Sequence, residues 1–339
     1  MRVLVTGGAG YIGSHTVRDL INSGHTVTIL DNLSKGHQDA VDPRASFVLG
    51  NLSNQELLIR TLQAHKIEAV MHFAGFTDVR ESVHEPYKYY YTNFSLTLNL
   101  LSAMIKAGVK NLIYSSSAAV YGNPDLNPIL EREHPEPITP YGKSKLMAET
   151  AIEDFSRAYH LNYIILRYFN VAGASTDSIL GEDHHPESHL IPRILHAANE
   201  GGVVEIFGTD YQTPDGTCIR DYIHVLDVSR AHVLVLDHIR PGTKEIYNIG
   251  SEHGFSVKEV IAACEKATGK KIETIELKRR TGDPAILIAN SQKIRKELRW
   301  MPLYPSINTI VQHSWQWHTS HPQGHSGPFT DSSQIHHQL

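Results

Sequence analysis

A tyrosine and a lysine four residues apart are the first residues of this chain that suggest chemistry. They are Tyr141 and Lys145, in the stretch Tyr-Gly-Lys-Ser-Lys that follows a proline-rich turn. On a helix, residues i and i+4 share one face, so the ammonium can lie beneath the phenol. A free phenol has a pKa near ~10, and a neighbouring cation lowers that pKa by stabilising phenolate. The pair therefore predicts a tyrosine base that works near neutral pH.

A hydroxyl group from a strand end completes the predicted catalytic set. The run Ser-Ser-Ser ends at Ser117, which is the best-placed residue to hydrogen-bond a substrate hydroxyl. A lone Tyr-x-x-x-Lys pattern is common on exposed helices, so it gains a catalytic meaning only beside a cofactor site. The catalytic hypothesis therefore depends on what precedes these residues in the chain.

A glycine cluster directly after the first predicted strand supplies such a cofactor site. Gly7, Gly10 and Gly13 recur at intervals of three in Thr-Gly-Gly-Ala-Gly-Tyr-Ile-Gly. A tight turn at the start of a helix lets backbone N–H groups approach a pyrophosphate. The second predicted strand ends in Asp31, close to the spacing of about 20 residues expected for a carboxylate on the adenosine ribose. Because a carboxylate repels a 2′-phosphate, the pattern favours NAD over NADP.

The elements that must position these groups alternate along the first half of the chain. Six apolar runs predict buried parallel strands, and most gaps between them fit crossover helices. This order is typical of an α/β doubly wound parallel sheet, the Rossmann arrangement. The runs span residues 2–7, 26–31, 46–51, 69–75, 111–117 and 162–170.

The second half of the chain has longer loops rich in Gly, Pro, Asp and His. The sequence predicts an NAD-binding Rossmann domain over 1–172 and a smaller α/β lobe for the substrate over 173–321, with some segments able to return to the first domain. Residues 322–339 are polar and without periodicity, which predicts a disordered tail.

Composition and charge exclude several functions. The formal net charge of −5 over 339 residues leaves no basic surface for nucleic acid and no polybasic stretch for a membrane. The first apolar run is too short for a signal peptide or a membrane span, and the two cysteines, Cys218 and Cys264, indicate a cytoplasmic protein. The histidines within 182–189 and at 336–337 lack ligand spacing, so no metal site is predicted.

Several motifs resemble those of the extended short-chain dehydrogenases/reductases, and most closely the UDP-glucose 4-epimerases among them. The motifs occur in the family's order over about residues 1–320 and include Tyr-Ile-Gly at 11–13, Tyr-Gly-Lys-Ser-Lys at 141–145, Arg-Asp-Tyr-Ile-His-Val at 220–225 and Arg-Arg-Thr-Gly-Asp at 279–283. The resemblance implies bound NAD, UDP-hexose substrates and a homodimer.

The resemblance also assigns contacts position by position. It implies cofactor contacts from Tyr11, Ile12, Asp31, Asn32, Leu33, Ser34, Lys35, Gly36, Asn51, Leu52, Phe73, Ala74, Gly75, Phe76, Thr77, Asn93, Ser117, Tyr141, Lys145 and Phe169. It implies substrate contacts from Ser117, Tyr141, Asn170, His189, Leu190, Arg220, Arg280, Asp283 and Leu287. Asn51, Thr77 and His189 depart from the Asp, Lys and Asn that other members carry.

The chemistry of the second lobe agrees with a nucleotide-sugar substrate. A diphosphate carries negative charge that the planar forks of Arg220 and Arg280 can meet, and Asp283 can accept from ribose hydroxyls. Leu287 replaces the tyrosine that accompanies restriction to plain hexoses, so we expect UDP-GlcNAc and UDP-GalNAc to be accepted beside the main pair.

The implied reaction is interconversion of UDP-glucose and UDP-galactose through a 4-keto sugar. Three alternatives stay open, and the first is another NAD-dependent nucleotide-sugar epimerase of the same superfamily. A 4,6-dehydratase of the same superfamily needs an acid and a base after the strand-end hydroxyl residue, where this chain has Ala118 and Ala119. A cofactor-binding regulator without catalysis usually lacks the Tyr/Lys pair that is present here.

Overall fold

Strands and helices alternate through most of the chain. The computed structural model describes residues 1–124, 126–280 and 283–325. Along these residues the strands are, in order, β1 (Arg2–Thr6), β2 (Thr26–Asp31), β3 (Ser46–Leu49), β4 (Ala69–His72), β5 (Asn111–Ser117), β6 (Asn162–Tyr168), β7 (Asn170–Ala172), β8 (Val203–Phe207), β9 (Ile219–His224), β10 (Lys244–Ile249), β11 (Gly254–Ser256), β12 (Glu273–Leu277) and β13 (Ile286–Leu287).

The helices lie mostly between consecutive strands. The α-helices are α1 (Tyr11–Asn22), α2 (Gln55–Ala64), α3 (Val79–His84), α4 (Pro86–Tyr89), α5 (Leu96–Ala107), α6 (Pro140–Tyr159), α7 (Leu190–Glu200), α8 (Val225–His238), α9 (Val257–Thr268), α10 (Gln292–Leu298) and α11 (Ile307–Ser320). A π-helical turn, Tyr90–Ser95, runs directly into α5, and 3₁₀ turns occupy Gln38–Ala40 and Ala118–Tyr121.

A seven-stranded sheet has the order β10-β6-β5-β4-β1-β2-β3, and each neighbouring pair is parallel. Its strands are apolar on both faces because both faces are covered by helices. Val3 and Val5 pack with Leu20 of α1 on one side, whereas Leu4 packs with Leu100 of α5 on the other. The prediction of a doubly wound Rossmann sheet is confirmed. The carboxyl ends of β1, β4 and β5 meet at one edge, where such sheets bind ligands.

The last strand of this sheet comes from the later part of the chain. β10 pairs with β6 in parallel register, Ile246 opposite Ile165. The helix before it, α8, packs on α1 through Val228, Ala231 and Val235. The division of the chain after residue 172 remains a prediction, and the larger sheet is completed by residues beyond it.

The remaining strands form smaller sheets beside the large one. β9 pairs with β7, β11 and β13, whereas β8 pairs with β12. A separate core of α7, α9 and α11 side chains, including Leu195, Cys264 and Ile310, lies beneath them. This smaller lobe places β9, β13 and the start of α7 near the strand ends of the large sheet.

The chain ends against this lobe as far as it is described. The backbone N–H of His325 donates to Asp183 Oδ2 at 2.8 Å, and His325 is buried. Most of the predicted tail, residues 326–339, lies outside the described residues. Among the described helices none is both long and apolar enough to cross a membrane.

Candidate active site

The turn after β1 approaches the turn after β4 very closely. Gly7 has φ +75°, and a Cβ added there would lie 2.6 Å from the backbone nitrogen of Ala74. Gly13 is equally constrained, because its Cβ would lie 2.1 Å from the carbonyl oxygen of Gly7. Larger residues at either position would separate the two turns. The glycine spacing therefore reports a backbone cradle between β1 and β4.

The N-terminus of α1 opens onto this cradle. Its N-cap is Gly10, which offers no side chain to cap the helix, and the first turn, beginning with Tyr11 and Ile12, contains no acidic residue. The first N–H groups of a helix lack partners within the helix and carry a partial positive charge. The cradle thus presents backbone donors to an anion, as a pyrophosphate site requires.

Asp31 ends β2 beside the same turn. Its carboxylate is 7% exposed and accepts from the backbone N–H of Ala9 at 3.0 Å and of Leu33 at 2.9 Å. Burial raises the pKa of Asp31, and these hydrogen bonds oppose the rise. Each oxygen keeps a second lone pair, so the fixed carboxylate can still accept from two ribose hydroxyls.

The loop after β2 is held by a segment from the second lobe. Lys35 Nζ donates to the carbonyl oxygen of His185, and the imidazole Nε2 of His37 lies 3.1 Å from the carbonyl oxygen of Asp183. Sequence reasoning placed Asn32, Ser34, Lys35 and Gly36 in this loop but missed the contact, because the partners are separated by about 150 residues. The cofactor loop is therefore bridged to residues 182–189.

Two of the predicted cofactor contacts, Asn51 and Leu52, have local roles in the structure. Asn51 Oδ1 accepts from the backbone N–H of Ser53 at 2.9 Å, so the amide stabilises its own turn. Leu52 is 4% exposed and packs in the sheet core with Leu58. The Leu52 side chain thus belongs to the core, and its backbone remains for a cofactor contact.

The segment after β4, residues 73–77, is fixed by one amide. Asn93, which is 1% exposed, accepts from the N–H of Phe76 at 2.9 Å and donates to its carbonyl at 3.0 Å. The same amide nitrogen donates to Ser144 Oγ at 3.2 Å. Gly75 has no room for a side chain, since its Cβ would lie 2.8 Å from Asn93 Oδ1, whereas Thr77 is exposed. Asn93 thus ties this segment to α6.

The start of α6 carries Tyr141. Pro140 is the first helical residue, and the Thr139 side chain accepts from the N–H of Gly142 at 3.2 Å, which fixes where the helix begins. Tyr141 is 6% exposed, and its ring lies edge-on to Tyr89 with centroids 6.3 Å apart. Burial raises the pKa of Tyr141, and a hydrogen bond from Ser117 lowers it.

Lys145 lies one turn further along α6. It is 5% exposed, its Nζ donates to the carbonyl oxygen of Ser115 at 2.8 Å, and it sits 5.1 Å from the Tyr114 ring centroid. Burial lowers the pKa of Lys145 to about 8, against the attraction of Glu149. The structure thus brings Ser117, Tyr141 and Lys145 together at the end of β5. In the protein alone, burial raises the pKa of the Tyr141 phenol more than the hydrogen bond from Ser117 lowers it.

A buried ion pair behind these residues escaped the sequence analysis. Arg167 of β6 donates from Nε to both carboxylate oxygens of Glu149, at 3.1 and 3.2 Å, and Ser116 Oγ donates to the same carboxylate. The side chains of Arg167 and Glu149 are 4% and 3% exposed. Arg167 also donates to Tyr121 Oη at 3.0 Å. The pair fastens α6 to β5 and β6, one turn beyond Lys145.

The substrate residues predicted in the second lobe lie on adjacent elements. Arg220 of β9 is paired with Asp283, while Leu287 of β13 stands opposite Arg220 in the strand register. The Arg280 guanidinium lies over the Phe207 ring, 3.7 Å from its centroid. Within the described residues, the buried Nε of Arg280 has no hydrogen-bond partner. The Arg220 guanidinium is thus held by a carboxylate, whereas the Arg280 guanidinium lies on an aromatic ring of β8.

The other predicted contacts connect this lobe with the catalytic helix. Phe169 is 7% exposed and packs with Ala118 and Leu287, while Asn170 begins β7 and is exposed. His189 is the N-cap of α7, directly before Leu190. The predicted cofactor and substrate residues therefore converge on one side of the sheet.

The expectation that the histidines of 182–189 form no metal site stays a prediction, but their arrangement in the structure differs from what the sequence suggests. The stretch 182–189 does not show ligand spacing in the sequence, yet the structure folds it so that ligating atoms of Glu182, His184, Glu187 and His189 lie within 4.8 Å of one another. The spacing is irregular because the segment is a loop, so neither the helical nor the strand period applies.

Residues 3–250 match the model of the NAD dependent epimerase/dehydratase family. The chain is 48% identical to the UDP-glucose 4-epimerase of Halalkalibacterium halodurans over 328 residues, which cover 96% of this chain and 98% of the relative. It is similar to the crystal structure of UDP-glucose 4-epimerase from Brucella ovis in complex with NAD, with a TM-score of 0.90, 44% identity, and 93% and 97% of the two chains covered.

The structure of UDP-glucose 4-epimerase from Bifidobacterium longum in complex with NAD⁺ and UDP gives a TM-score of 0.92 at 40% identity, covering 96% of this chain and 100% of that one. Because these matches cover at least 93% of this chain, the similarity extends over both lobes and not only over the cofactor-binding half. The chain therefore belongs to the NAD dependent epimerase/dehydratase family.

Proposed function

We propose that this chain interconverts UDP-glucose and UDP-galactose, using NAD held in the cleft at the carboxyl ends of β1, β4 and β5. The observation that carries the proposal is the set formed by the buried Tyr141 and Lys145 with the half-buried Ser117 beside that cleft. The relatives named UDP-glucose 4-epimerase support it, since they match almost the whole chain.

The residues of the cleft fit a dinucleotide. The cradle at Gly7 and the uncapped start of α1 suit the pyrophosphate, and the buried Asp31 suits a ribose. Phe73 and Phe169, at the ends of β4 and β6, are apolar neighbours for the planar rings. Held by these residues, NAD would supply a reversible hydride acceptor for the sugar C4.

The side chains of this protein would handle the proton of the sugar 4-hydroxyl. Tyr141 takes the proton from that oxygen and later restores it, so no net proton is consumed. Ser117, which donates to Tyr141, orients the same hydroxyl. Lys145 has a pKa of about 8 because burial disfavours its charge, yet it stays mostly protonated at neutral pH and its charge favours phenolate.

The second lobe would hold the uridine diphosphate. Arg220 and Arg280 offer planar donors to the diphosphate. Among the described residues, the buried Nε of Arg280 has no hydrogen-bond acceptor, so it could donate to a phosphate oxygen. Asp283, which pairs with Arg220 here, can exchange that contact for a ribose hydroxyl. Asn170, His189 and Leu190 would line the same uridine diphosphate site.

A coupled assay distinguishes this activity from its alternatives. The purified chain, without added cofactor, should convert UDP-galactose to UDP-glucose and the reverse. A 4,6-dehydratase would instead accumulate a 4-keto-6-deoxy sugar, and a regulator would release neither product. Accumulation of a keto product, or a lack of turnover in protein shown to contain NAD, would overturn the proposal.

We also propose a cytoplasmic homodimer. The two cysteines, Cys218 and Cys264, are free, which suits a reducing compartment.

An exposed aromatic pair supports the dimer. Tyr87 and Tyr91 are exposed and stack with centroids 5.9 Å apart, an apolar surface of the kind that interfaces use. Light scattering on the purified chain should give twice the mass of 37.9 kDa.

A further inference from the structure

The loop before α7 concentrates metal-ligating side chains. Glu182, His184, Glu187 and His189 present one ligand atom each, and these atoms all lie within 4.8 Å of one another. The Glu182 and Glu187 side chains are 4% and 11% exposed, whereas His184 is 20% and His189 40% exposed. The carboxylates are thus largely shielded from water, and His189 leaves the site open for an ion to enter.

Three separations among these side chains, two of which use different oxygens of Glu187, are close to the edge of a coordination tetrahedron. For metal–ligand bonds of about 2.0–2.1 Å, neighbouring ligands of a tetrahedral Zn²⁺ ion stand about 3.3 Å apart. His184 Nδ1 lies 3.4 Å from Glu182 Oε1 and 3.8 Å from Glu187 Oε2, and His189 Nδ1 lies 3.8 Å from Glu187 Oε1. The fourth separation, 2.5 Å between His189 Nδ1 and Glu182 Oε1, is a hydrogen bond with a proton between the atoms.

One ligand atom lacks a partner of its own. Within the described chain, Nδ1 of His184 is buried without a hydrogen bond of good geometry, although two carboxylates stand near it. We propose that Glu182, His184, Glu187 and His189 form a binding site for one divalent transition-metal ion of the Zn²⁺ class. Two imidazole nitrogens and two carboxylate oxygens are the donor set that such an ion accepts.

The two carboxylates of the site, Glu182 and Glu187, offset the charge of a divalent ion, so a bound ion would not be an uncompensated buried charge. Ligation requires neutral imidazoles, so ion binding competes with protons for His184 and His189.

The site is tested on the full-length, tag-free protein after treatment with a chelator. Titration with Zn²⁺ against a chromogenic chelator should show one ion per chain. Co²⁺ should give the intense visible bands of a tetrahedral complex. The proposal is independent of the epimerase activity, since none of these readouts requires turnover.

Two variants and one matched control decide the outcome. His184→Gln and Glu187→Gln should each weaken Zn²⁺ binding by roughly 100-fold or more and abolish the Co²⁺ bands. A variant with His336→Gln and His337→Gln, the other adjacent histidine pair, should bind as wild type. Circular dichroism shows whether each variant is folded. The proposal fails if wild type binds no stoichiometric ion, or if either folded loop variant binds it unchanged.

Discussion

The ammonium of Lys145 donates a hydrogen bond to the carbonyl oxygen of Ser115 at 2.8 Å, at the end of the central strand β5. This contact holds a buried cation one helical turn from Tyr141. Because the pKa of Lys145 is lowered to about 8 by burial, its charge is present at neutral pH and is lost as the pH rises through that value. The charge that favours phenolate is therefore itself dependent on pH.

Replacing Lys145 by Met should move the working range of the enzyme to higher pH. Without the cation, the apparent pKa of Tyr141 in the pH–rate profile should rise by about 1–3 units, with a matching loss of rate at pH 7. The matched control is Lys143→Met, an exposed residue on the same helix, which should leave the profile unchanged. An unshifted profile for Lys145→Met would give Lys145 a structural role only.

The Tyr141→Phe variant should lose epimerisation by about 10²–10⁴-fold because it removes the proton acceptor. It should still retain NAD, since the cradle at Gly7 and the carboxylate of Asp31 are untouched. Turnover and bound NAD are measured on the same sample. Tyr159→Phe, at the exposed end of α6, is the control. A Tyr141→Phe protein with turnover near wild type would exclude Tyr141 as the base.

Removing the carboxylate of Glu149 should destabilise the protein strongly. In Glu149→Gln the guanidinium of Arg167 stays buried without its counter-charge, which costs about 3–5 kcal/mol in the free energy of unfolding. Urea denaturation gives this quantity. The control is Glu153→Gln, whose partner Arg157 is 67% exposed, and its loss should be at most about 1 kcal/mol. Equal losses in both variants would contradict the role of the buried pair.

Leu287 provides a test of substrate range. It stands opposite Arg220 and packs near Phe169, and leucine lacks the ring and hydroxyl of a tyrosine. We expect measurable interconversion of UDP-GlcNAc and UDP-GalNAc by wild type. In Leu287→Tyr this activity should fall at least tenfold, while conversion of UDP-galactose survives. A tenfold loss corresponds to about 1.4 kcal/mol of unfavourable overlap between the tyrosine ring and the acetamido group. No conversion of the acetamido sugars at saturating concentration would refute this expectation.

The parts of the fold that follow a local period were predictable from the sequence. The apolar runs of the large sheet are recognisable without partners, because strands covered on both faces are apolar throughout. The glycine turn and Asp31 were likewise found, since the pattern and its spacing lie within one strand-turn-helix unit. These elements place Tyr141 and Lys145 on a helix beside β5, as expected.

Long-range pairing of charged groups was not predictable in the same way. Glu149 and Arg167 each look like surface charges in the sequence, and only the packing of α6 on β6 buries them together. The ligand atoms of Glu182 and His189 meet because the loop between them folds back, and no periodic rule describes that path. The pKa of Tyr141 also depends on burial, which residue spacing does not report.

The pairing of β10 with β6 bears on how the chain can be divided. A fragment ending at residue 172 would lack this neighbour and expose the flank of Ile164, Ile165 and Leu166, an apolar edge that invites pairing between molecules. It would also lack α8, leaving Leu20 of α1 uncovered. We therefore expect truncation to yield aggregates rather than an isolated nucleotide-binding module.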